Sequence, residues 1–504
     1  MAKYEESAGV DIVRNTLWNF LGQILPLLVA LFAIPLLINK LGTSRFGVLT
    51  LAWMFIGYFS LFDMGLGRAL TKLVSELLGA GKISEVPDAV RTALVLMFTF
   101  GLAGTALAVA SSPWLVEHTL TVPDELREET LHTFYLLSAS IPIVILASGL
   151  RGVLEAYQRF GAINVIRAVQ GTFSFLGPVL VLPFSNSLVA IVAVLLAMRL
   201  IACALHFWLC QHVIPVGAIS AQYDRELALR LLRWGGWMTV SNVIGPLMVY
   251  LDRFLIGAVL SLAAVAYYVT PYEVVTKLWV IPGALAGVLF PAFAAGLAGE
   301  RQEVMRLQAA GVKALFVVMF PLCLLIVTFA VDGLTLWLGR EFAENSAAVL
   351  QWLTVGVLIN SVAQVPFALI QSAGRADLTA KLHLIQLPIY LVALWFVLRT
   401  QGIAGAAVVW AGRIAVDAVM IFLVARQMFP ENDKTRRPAM LLVLMAASLL
   451  FTGAMLMDIA VKVVFTLVAS TLFAAIAWRF VLNADERGYL VRALPSRFGL
   501  HPRD

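Results

Sequence analysis

Charged residues interrupt the apolar stretches of this sequence at spacings that suit ion pairing or ion binding. Asp63 ends an apolar run, and Arg68 and Lys72 follow within about two helical turns. Because a charge in hydrocarbon is costly, each of these residues needs a partner or water. Arg68 and Lys72 are candidates for binding an anionic substrate, and they fit a topological role equally well. Asp63 is either their local counter-charge or a titratable group for ion coupling.

Two further charged pairs are spaced four residues apart, which places both members on one face of a helix. Glu273 and Lys277 form the first pair. For this pair an internal ion pair is one interpretation, and substrate binding by Lys277 with ion coupling by Glu273 is the other. Arg413 and Asp417 form the second pair. A packed ion pair is the favoured interpretation here, and Asp417 is also a candidate coupling carboxylate.

Two tyrosines lie on a helical face that adjoins the first charged pair. Tyr268 and Tyr272 are four residues apart, so their rings share that face. A tyrosine offers an apolar ring and a hydroxyl group, which suits the binding of sugars. Pro271 and Pro282 bracket this segment, and we expect them to break or kink the helix.

Amide side chains also recur inside the apolar runs. Those of the first run are spaced by four, so they share one helical face that we expect to line a polar seam. The amide residues that we predict to contact substrate are Asn15, Asn19, Gln23, Asn242, Asn360 and Gln364.

The composition indicates the kind of fold that holds these residues in place. Of the 504 residues, 61% are hydrophobic and only 13% are charged, which predicts an integral membrane protein. The apolar runs are continuous rather than alternating, so the expected fold class is all-α and not a membrane β-barrel. We predict about fourteen transmembrane helices, at 16–38, 46–67, 89–112, 132–155, 162–184, 187–210, 234–258, 263–297, 309–331, 347–372, 382–399, 403–427, 438–457 and 462–482.

Several classes of function are disfavoured by the sequence. The three cysteines and six histidines lack the spacing of a metal site, so we expect no metal. No GxxxxGK[ST] motif is present, and we predict no ATP use and no other cofactor. The net charge of +6 is spread over short loops, which argues against nucleic acid. The breaks assigned to the outer side are too short to hold a glycosyltransferase site, so the chain is not expected to be an enzyme.

The basic residues also predict the orientation. The polar segments between the predicted spans alternate between segments rich in Lys and Arg and segments that contain few of them. Segments rich in Lys and Arg face the cytoplasm in membrane proteins. Both termini are therefore expected in the cytoplasm. The first residues show no cleavage site for a signal peptide, so the first span is expected to remain.

An internal repeat is indicated by the starts of two spans. "RNTLWNFLGQILP" at the first span resembles "RWGGWMTVSNVIGP" at the seventh, with Gln23 matching Asn242. Chance similarity between helix starts is the alternative. The repeat predicts two parallel six-helix lobes at 1–212 and 213–430, and two additional helices with a tail at 431–504. Two such halves with a polar seam are typical of transporters that work by alternating access.

Longer segments resemble a known family. "LINKLGTSRFGVLTLAWMFIGYFSLFDMGLGRALTK", "LQWLTVGVLINSVAQVPFALIQSAGRADLTAKL" and "GIAGAAVVWAGR" are similar to segments of Wzx-like polysaccharide flippases. These belong to the multidrug/oligosaccharidyl-lipid/polysaccharide exporter superfamily. The resemblance covers most of residues 10–430.

The resemblance implies a fold and a function. The fold would be a V-shaped pair of six-helix lobes around a cationic cavity, and the two last helices would resemble those of lipid-linked peptidoglycan-precursor flippases. The function would be transfer of polyprenyl-pyrophosphate-linked oligosaccharide from the inner to the outer leaflet of the bacterial plasma (inner) membrane. Because a pyrophosphate is anionic, Arg68, Lys72 and Arg375 are candidates for its entry site.

The candidate partners are the lipid-linked oligosaccharide, membrane lipid, a polysaccharide polymerase and a chain-length regulator. Two alternatives stay open within the superfamily. One is a cation-coupled multidrug exporter, and the other is a peptidoglycan-precursor flippase.

Overall fold

The computed structural model describes residues 2–59, 65–214, 223–229, 231–232, 251–297, 301–429 and 436–481. Within these ranges the regular structure is helical, and no strand occurs. This agrees with the all-α prediction. In hydrocarbon, helices satisfy every backbone N–H and C=O within one segment.

The chain divides into two compact units, at residues 1–266 and 267–504. The helices of the first unit are α1 (Ala2–Phe59), α2 (Leu66–Gly79), α3 (Val86–Trp114), α4 (Asp124–Ala139), α5 (Ile141–Ala156), α6 (Phe160–Val181) and α7 (Leu188–Val213). Residues 251–259 are also helical. The predicted lobe boundaries stay a prediction.

In the second unit, helix α8 (Leu262–Thr276) crosses the boundary at its start, and the remaining helices follow in sequence. They are α9 (Val280–Leu297), α10 (Arg301–Thr328), α11 (Ala330–Leu338), α12 (Arg340–Ser372), α13 (Ala376–Met428), α14 (Arg436–Met455) and α15 (Ile459–Ile476). Among the described residues, nine helical segments are long and apolar enough to cross a membrane. The structure therefore confirms a bundle of several spans, whereas the count of fourteen stays a prediction.

Two long helices each cover two predicted spans. Helix α1 has non-helical backbone angles at Gly42, which lies between the first and second predicted spans. Helix α13 has them at Gly402, between the eleventh and twelfth (φ 63°, ψ −150°). Since only glycine adopts such angles without strain, these residues let the chain change direction between adjacent spans.

The predicted break between Pro271 and Pro282 is present. Helix α8 ends at Thr276, a 3₁₀ turn covers Lys277–Trp279, and α9 begins at Val280. Proline has no N–H, so Pro282 cannot bond the carbonyl four residues before it and is tolerated in the first turn of α9. The turn places Lys277 directly at the interruption.

Each unit is built around one central segment. In the first unit α4 and α5 together form a candidate span, and 67% of the residues in its most apolar stretch are buried. In the second unit 67% of the corresponding residues of α12 are buried. The other described spans are 39% buried or less. Both central segments occupy the fourth position of a predicted six-span half. The two central segments therefore hold the same position in each predicted half, and the repeat itself stays a prediction.

The C-terminal helices are attached to the second unit by a buried charge and an aromatic contact. Lys462 of α15 donates a hydrogen bond to Asp332 of α11, and its side chain is only 4% exposed. The Phe473 and Phe320 rings lie 4.2 Å apart, which joins α15 to α10. A buried charge next to its counter-ion fixes the position of α15 along the unit.

We expect Asp332→Asn to lower the stability of the second unit strongly, because the buried Lys462 charge loses its partner. Removing one member of a buried pair typically costs about 3–5 kcal/mol. Thermal unfolding of the purified protein in detergent measures the effect. The double variant D332N/K462M should recover much of the loss, and Glu344→Gln, which removes an exposed pair with Arg340, is the matched control.

A second prediction concerns Gly47. A Cβ atom at this position would lie 1.9 Å from the backbone oxygen of Leu262, which cannot rotate away. Gly47→Ala should therefore destabilise the protein by about 1–3 kcal/mol, the usual range for overpacking. Gly79→Ala is the control, because nothing lies within 4 Å of its Cβ position. Equal melting temperatures for the two variants would contradict the prediction.

Candidate functional site

The Glu273–Lys277 pair lies where α8 meets the 3₁₀ turn. Lys277 Nζ is 3.3 Å from Glu273 Oε2, so the ion pair expected from the spacing is formed. The side chains are 40% and 46% exposed. A charged pair in the middle of an apolar segment is costly against lipid, which favours a wet surface for these exposed faces.

The two tyrosines of α8 are buried in an aromatic cluster. Tyr268 is fully buried and Tyr272 is 3% exposed. Their rings stack at 6.4 Å, and the Tyr272 ring meets the Trp410 ring of α13 edge-on at 5.7 Å. The cluster supports the backbone that carries Glu273. Direct contact between these rings and a sugar stays a prediction.

Asp417 has different neighbours from those that the sequence predicts. It is 6% exposed, and its Oδ1 accepts a hydrogen bond of 3.1 Å from Gln386 Nε2. His383 Nε2 lies 3.5 Å from the same oxygen. All three residues belong to α13, with His383 and Gln386 before the Gly402 bend and Asp417 after it.

The expected Arg413–Asp417 ion pair is wrong. The guanidinium of Arg413 lies over the Tyr390 ring, 5.3 Å from its centroid, instead of meeting the carboxylate. A base that precedes an acid by four residues is the weaker order on a helix. The bend of α13 offers Asp417 nitrogen donors from the preceding half, and these replace the predicted partner.

The amides of α12 interact with each other. Gln364 Nε2 lies 3.5 Å from Asn360 Oδ1, and both residues are half-buried. This long hydrogen bond is weak. The two side chains can therefore exchange it for contacts with another polar group.

The basic candidates lie on exposed surfaces of both units. Arg68 and Lys72 are exposed on α2, and Lys72 Nζ is 3.7 Å from Glu76. Arg375 is exposed before α13 and donates a hydrogen bond of 3.0 Å to Asp377. The Asp377 carboxylate raises the pKa of Arg375, through this hydrogen bond and through its charge. These bases are accessible to an anion, in agreement with either a topological or a binding role.

Part of the predicted site lies outside the described residues. Asp63 and Asn242 are in this group. The backbone of α1 includes the first three amide residues, but their side chains are not described, and this applies to Asn15, Asn19 and Gln23. Their roles stay predictions.

Sequence reasoning missed several partners that the fold supplies. Gln386 and His383 beside Asp417 are two of them, and Lys462 beside Asp332 is a third. In the first unit, Glu129 accepts hydrogen bonds from Arg45 Nε at 3.1 Å and from the Leu188 backbone N–H at 2.7 Å. His383 and Gln386 are three residues apart, which places both on one helical face. This spacing was the one feature of the sequence that could have indicated that they share a partner.

Comparison with known proteins identifies the family. The family model described as "Polysaccharide biosynthesis protein" matches residues 40–347, more than half of the chain. The chain belongs to this family. The match agrees with the resemblance to polysaccharide flippases and places the Glu273–Lys277 pair within the polysaccharide biosynthesis family segment.

The proteins that are similar to this chain are named as transporters or flippases. A Shigella flexneri protein named "Putative O-antigen transporter" is 29% identical over 412 residues, which is 82% of this chain and 97% of that protein. Among solved structures, lipid II flippase MurJ in an inward closed conformation has a TM-score of 0.70 at 14% identity, covering 94% of this chain and 100% of that one.

An inward-facing multidrug resistance MATE family transporter of the MOP superfamily is similar as well. Its TM-score is 0.69 at 15% identity, covering 82% of this chain and 98% of that one. At such low identities the two solved structures show the fold, which is that of MOP superfamily transporters. They confirm the predicted fold class.

We expect Glu273→Gln and Lys277→Gln each to leave folded protein in the membrane and to abolish transport, if the pair acts on substrate or ion. The pair is exposed, so its loss should change stability by about 1 kcal/mol or less. Surface glycan in a complemented deletion strain measures transport, and detergent thermal shift measures folding. A normal amount of surface glycan in cells that carry either variant would show that the pair has only a local structural role. Glu344→Gln, which removes the exposed partner of Arg340, is the matched control for loss of one carboxylate.

Proposed function

We propose that this protein is a flippase for polyprenyl-pyrophosphate-linked oligosaccharide, such as an O-antigen, capsule or exopolysaccharide repeat unit. It would move this substrate from the inner to the outer leaflet of the plasma membrane by alternating access. The observation that carries the proposal is the family match together with the "Putative O-antigen transporter", whose length the alignment covers almost completely. The membrane would be the bacterial inner membrane, with both termini in the cytoplasm.

The chemistry of the substrate agrees with the accessible residues. A pyrophosphate carries about two negative charges, and guanidinium groups bind it by paired hydrogen bonds. Arg68, Lys72 and Arg375 are exposed and basic, so we propose them for its entry. Lys277 is half-exposed at the α8–α9 interruption and pairs with Glu273, and we propose that it exchanges this partner for the pyrophosphate. The polyprenyl tail can stay in lipid throughout.

Polar groups for the sugars are proposed on the amide residues. Asn360 and Gln364 share one face of α12, and their mutual hydrogen bond is long enough to be exchanged for sugar hydroxyls. Asn15, Asn19, Gln23 and Asn242 are proposed by their spacing alone. Tyr268 and Tyr272 are proposed to support this surface from inside, since both are buried. A polymerase and a chain-length regulator are proposed as protein partners.

One structural observation favours a second candidate, a flippase for a lipid-linked peptidoglycan precursor. The MurJ comparison covers 94% of this chain, against 82% for the MATE transporter. Both lipid-linked substrates share a pyrophosphate and a polyprenyl tail, so the same basic groups would serve either. The sugar-binding residues would then distinguish them.

Deletion of the gene tests the proposal. Cells that lack the flippase should lose surface glycan and accumulate its lipid-linked repeat unit at the inner leaflet, because synthesis continues without transfer. Mass spectrometry of extracted lipids identifies the intermediate, and restoring the gene should reverse both effects.

Two other outcomes would contradict this assignment. Accumulation of a peptidoglycan precursor would favour the second candidate. Loss and restoration of dye efflux, with unchanged surface glycan, would instead assign the chain to cation-coupled multidrug export.

A further inference from the structure

An apolar recess opens on the exposed surface of helix α13, before the bend at Gly402. Its volume is about 630 Å³, which is within the range of small-molecule binding sites. The residues that line it are Pro388, Ile389, Val392, Ala393, Trp395 and Phe396. None of them carries a charge, and Val392 and Phe396 are 70% and 63% exposed. A molecule that fills this recess must therefore present hydrocarbon to it.

A cation lies at one end of the recess. Arg399 follows it by one helical turn, and the guanidinium carbon of Arg399 is 3.9 Å from the centroid of the Trp395 ring. The same indole thus lines the recess and holds the cation by a cation–π contact. Stacking occupies the face of the guanidinium group, whereas its N–H donors point outwards in the plane. These donors suit two oxygens of one phosphate group.

No acid of its own helix neutralises Arg399. Helix α13 contains no acidic residue between Asp377 and Asp417, and within the described part of the chain Arg399 contacts no carboxylate. Several exposed bases of the second unit do have an acid partner, in the pairs Arg340–Glu344, Arg375–Asp377 and Lys381–Asp377. The charge of Arg399 is therefore available to an anion that does not belong to the protein.

The length of the recess fits one leaflet of a bilayer. Pro388 and Arg399 are eleven positions apart, which corresponds to about 16 Å along a helix. The hydrocarbon core of a bilayer is about 30 Å thick, so one leaflet contributes about 15 Å. A phospholipid that places its phosphate at Arg399 would extend an acyl chain along the whole recess.

We propose that residues 388–399 form a binding site for an anionic phospholipid, such as phosphatidylglycerol. An acyl chain lies in the apolar recess, and the phosphate accepts hydrogen bonds from the guanidinium group of Arg399. A zwitterionic phospholipid carries its own cation beside the phosphate, so Arg399 attracts it less. The site is independent of the proposed flippase function, because it is argued without the transported substrate.

Fluorescence quenching by phospholipids with brominated acyl chains tests the site. Bromine quenches a tryptophan that it contacts, and subtracting the spectrum of Trp395→Phe separates the signal of Trp395 from that of the other tryptophans. The full-length protein is placed in nanodiscs that contain brominated phosphatidylglycerol or brominated phosphatidylcholine with the same chains. Trp395 should prefer phosphatidylglycerol by about fivefold, which is the effect of one basic residue on anionic lipid.

Variants of the cation test the origin of this preference. Arg399→Gln should abolish it, and Arg399→Lys, which retains the charge, should keep most of it. Arg340→Gln is the matched control, because Arg340 is an exposed base paired with Glu344, and it should leave the preference unchanged. Equal quenching of the wild-type protein by the two lipids would show ordinary solvating lipid only. That result, or a preference that survives in R399Q, overturns the proposal.

A variant of the recess keeps the test decisive if R399Q does not fold. Ala393→Phe fills the recess with a neutral side chain, so it should remove the excess quenching by phosphatidylglycerol. Ala447→Phe, at an exposed position of α14, adds the same side chain elsewhere and should retain that quenching. Unchanged quenching in A393F would contradict an acyl chain in the recess.

A last measurement distinguishes a phospholipid from a polyprenyl chain. Unbrominated polyprenyl phosphate, added to wild-type protein with brominated phosphatidylglycerol, should leave the quenching of Trp395 unchanged. Loss of quenching would assign the recess to the polyprenyl chain and overturn the phospholipid site. Because no glycan enters these measurements, failure of the site leaves the proposed flippase function standing, and surface glycan in the deletion strain tests that function separately.

Discussion

The cost of an unpaired polar group in hydrocarbon is the constraint on which this structure depends. The described backbone avoids this cost by forming helices. Hydroxyl side chains avoid it by donating hydrogen bonds to carbonyl groups of the preceding turn, as Thr71 does to Gly67. Charged residues meet it by pairing. Lys462 with Asp332 and Arg45 with Glu129 each link different helices, so the charges that the bilayer penalises also fix the helix arrangement.

The sequence predicts features that depend on local chemistry. The bends at Gly42 and Gly402 fall in the breaks between predicted spans, and the interruption after α8 lies between two prolines that were expected to cause it. Glycine and proline act through their own backbone, so neighbours in space are not needed to predict them. The Glu273–Lys277 pair is equally local, because its two members lie four residues apart on one continuous helical segment.

Partners that are far apart in sequence were beyond such reasoning. The spacing of Arg413 and Asp417 favoured an ion pair, yet the bend of α13 brings Gln386 and His383 to the carboxylate instead. Which residues meet there depends on how far each half-helix extends from Gly402, and periodicity carries no information about that distance. The same holds for Lys462, whose partner Asp332 is 130 residues away in sequence.

The two units repeat one feature of their internal organisation. In both, the most buried segment is the fourth of a predicted six, and an acid near its start contacts the beginning of the second span. Glu129 accepts a hydrogen bond from Arg45, and Glu341 accepts a hydrogen bond from Tyr267, each with a length of 3.1 Å. These repeated contacts connect the second span to the fourth within each unit. In helix α13 the two halves on either side of Gly402 are joined at Asp417, by a hydrogen bond from Gln386 and by the close approach of His383. The partners of this carboxylate precede the bend and Asp417 follows it, so the side-chain contact holds one half of α13 against the other.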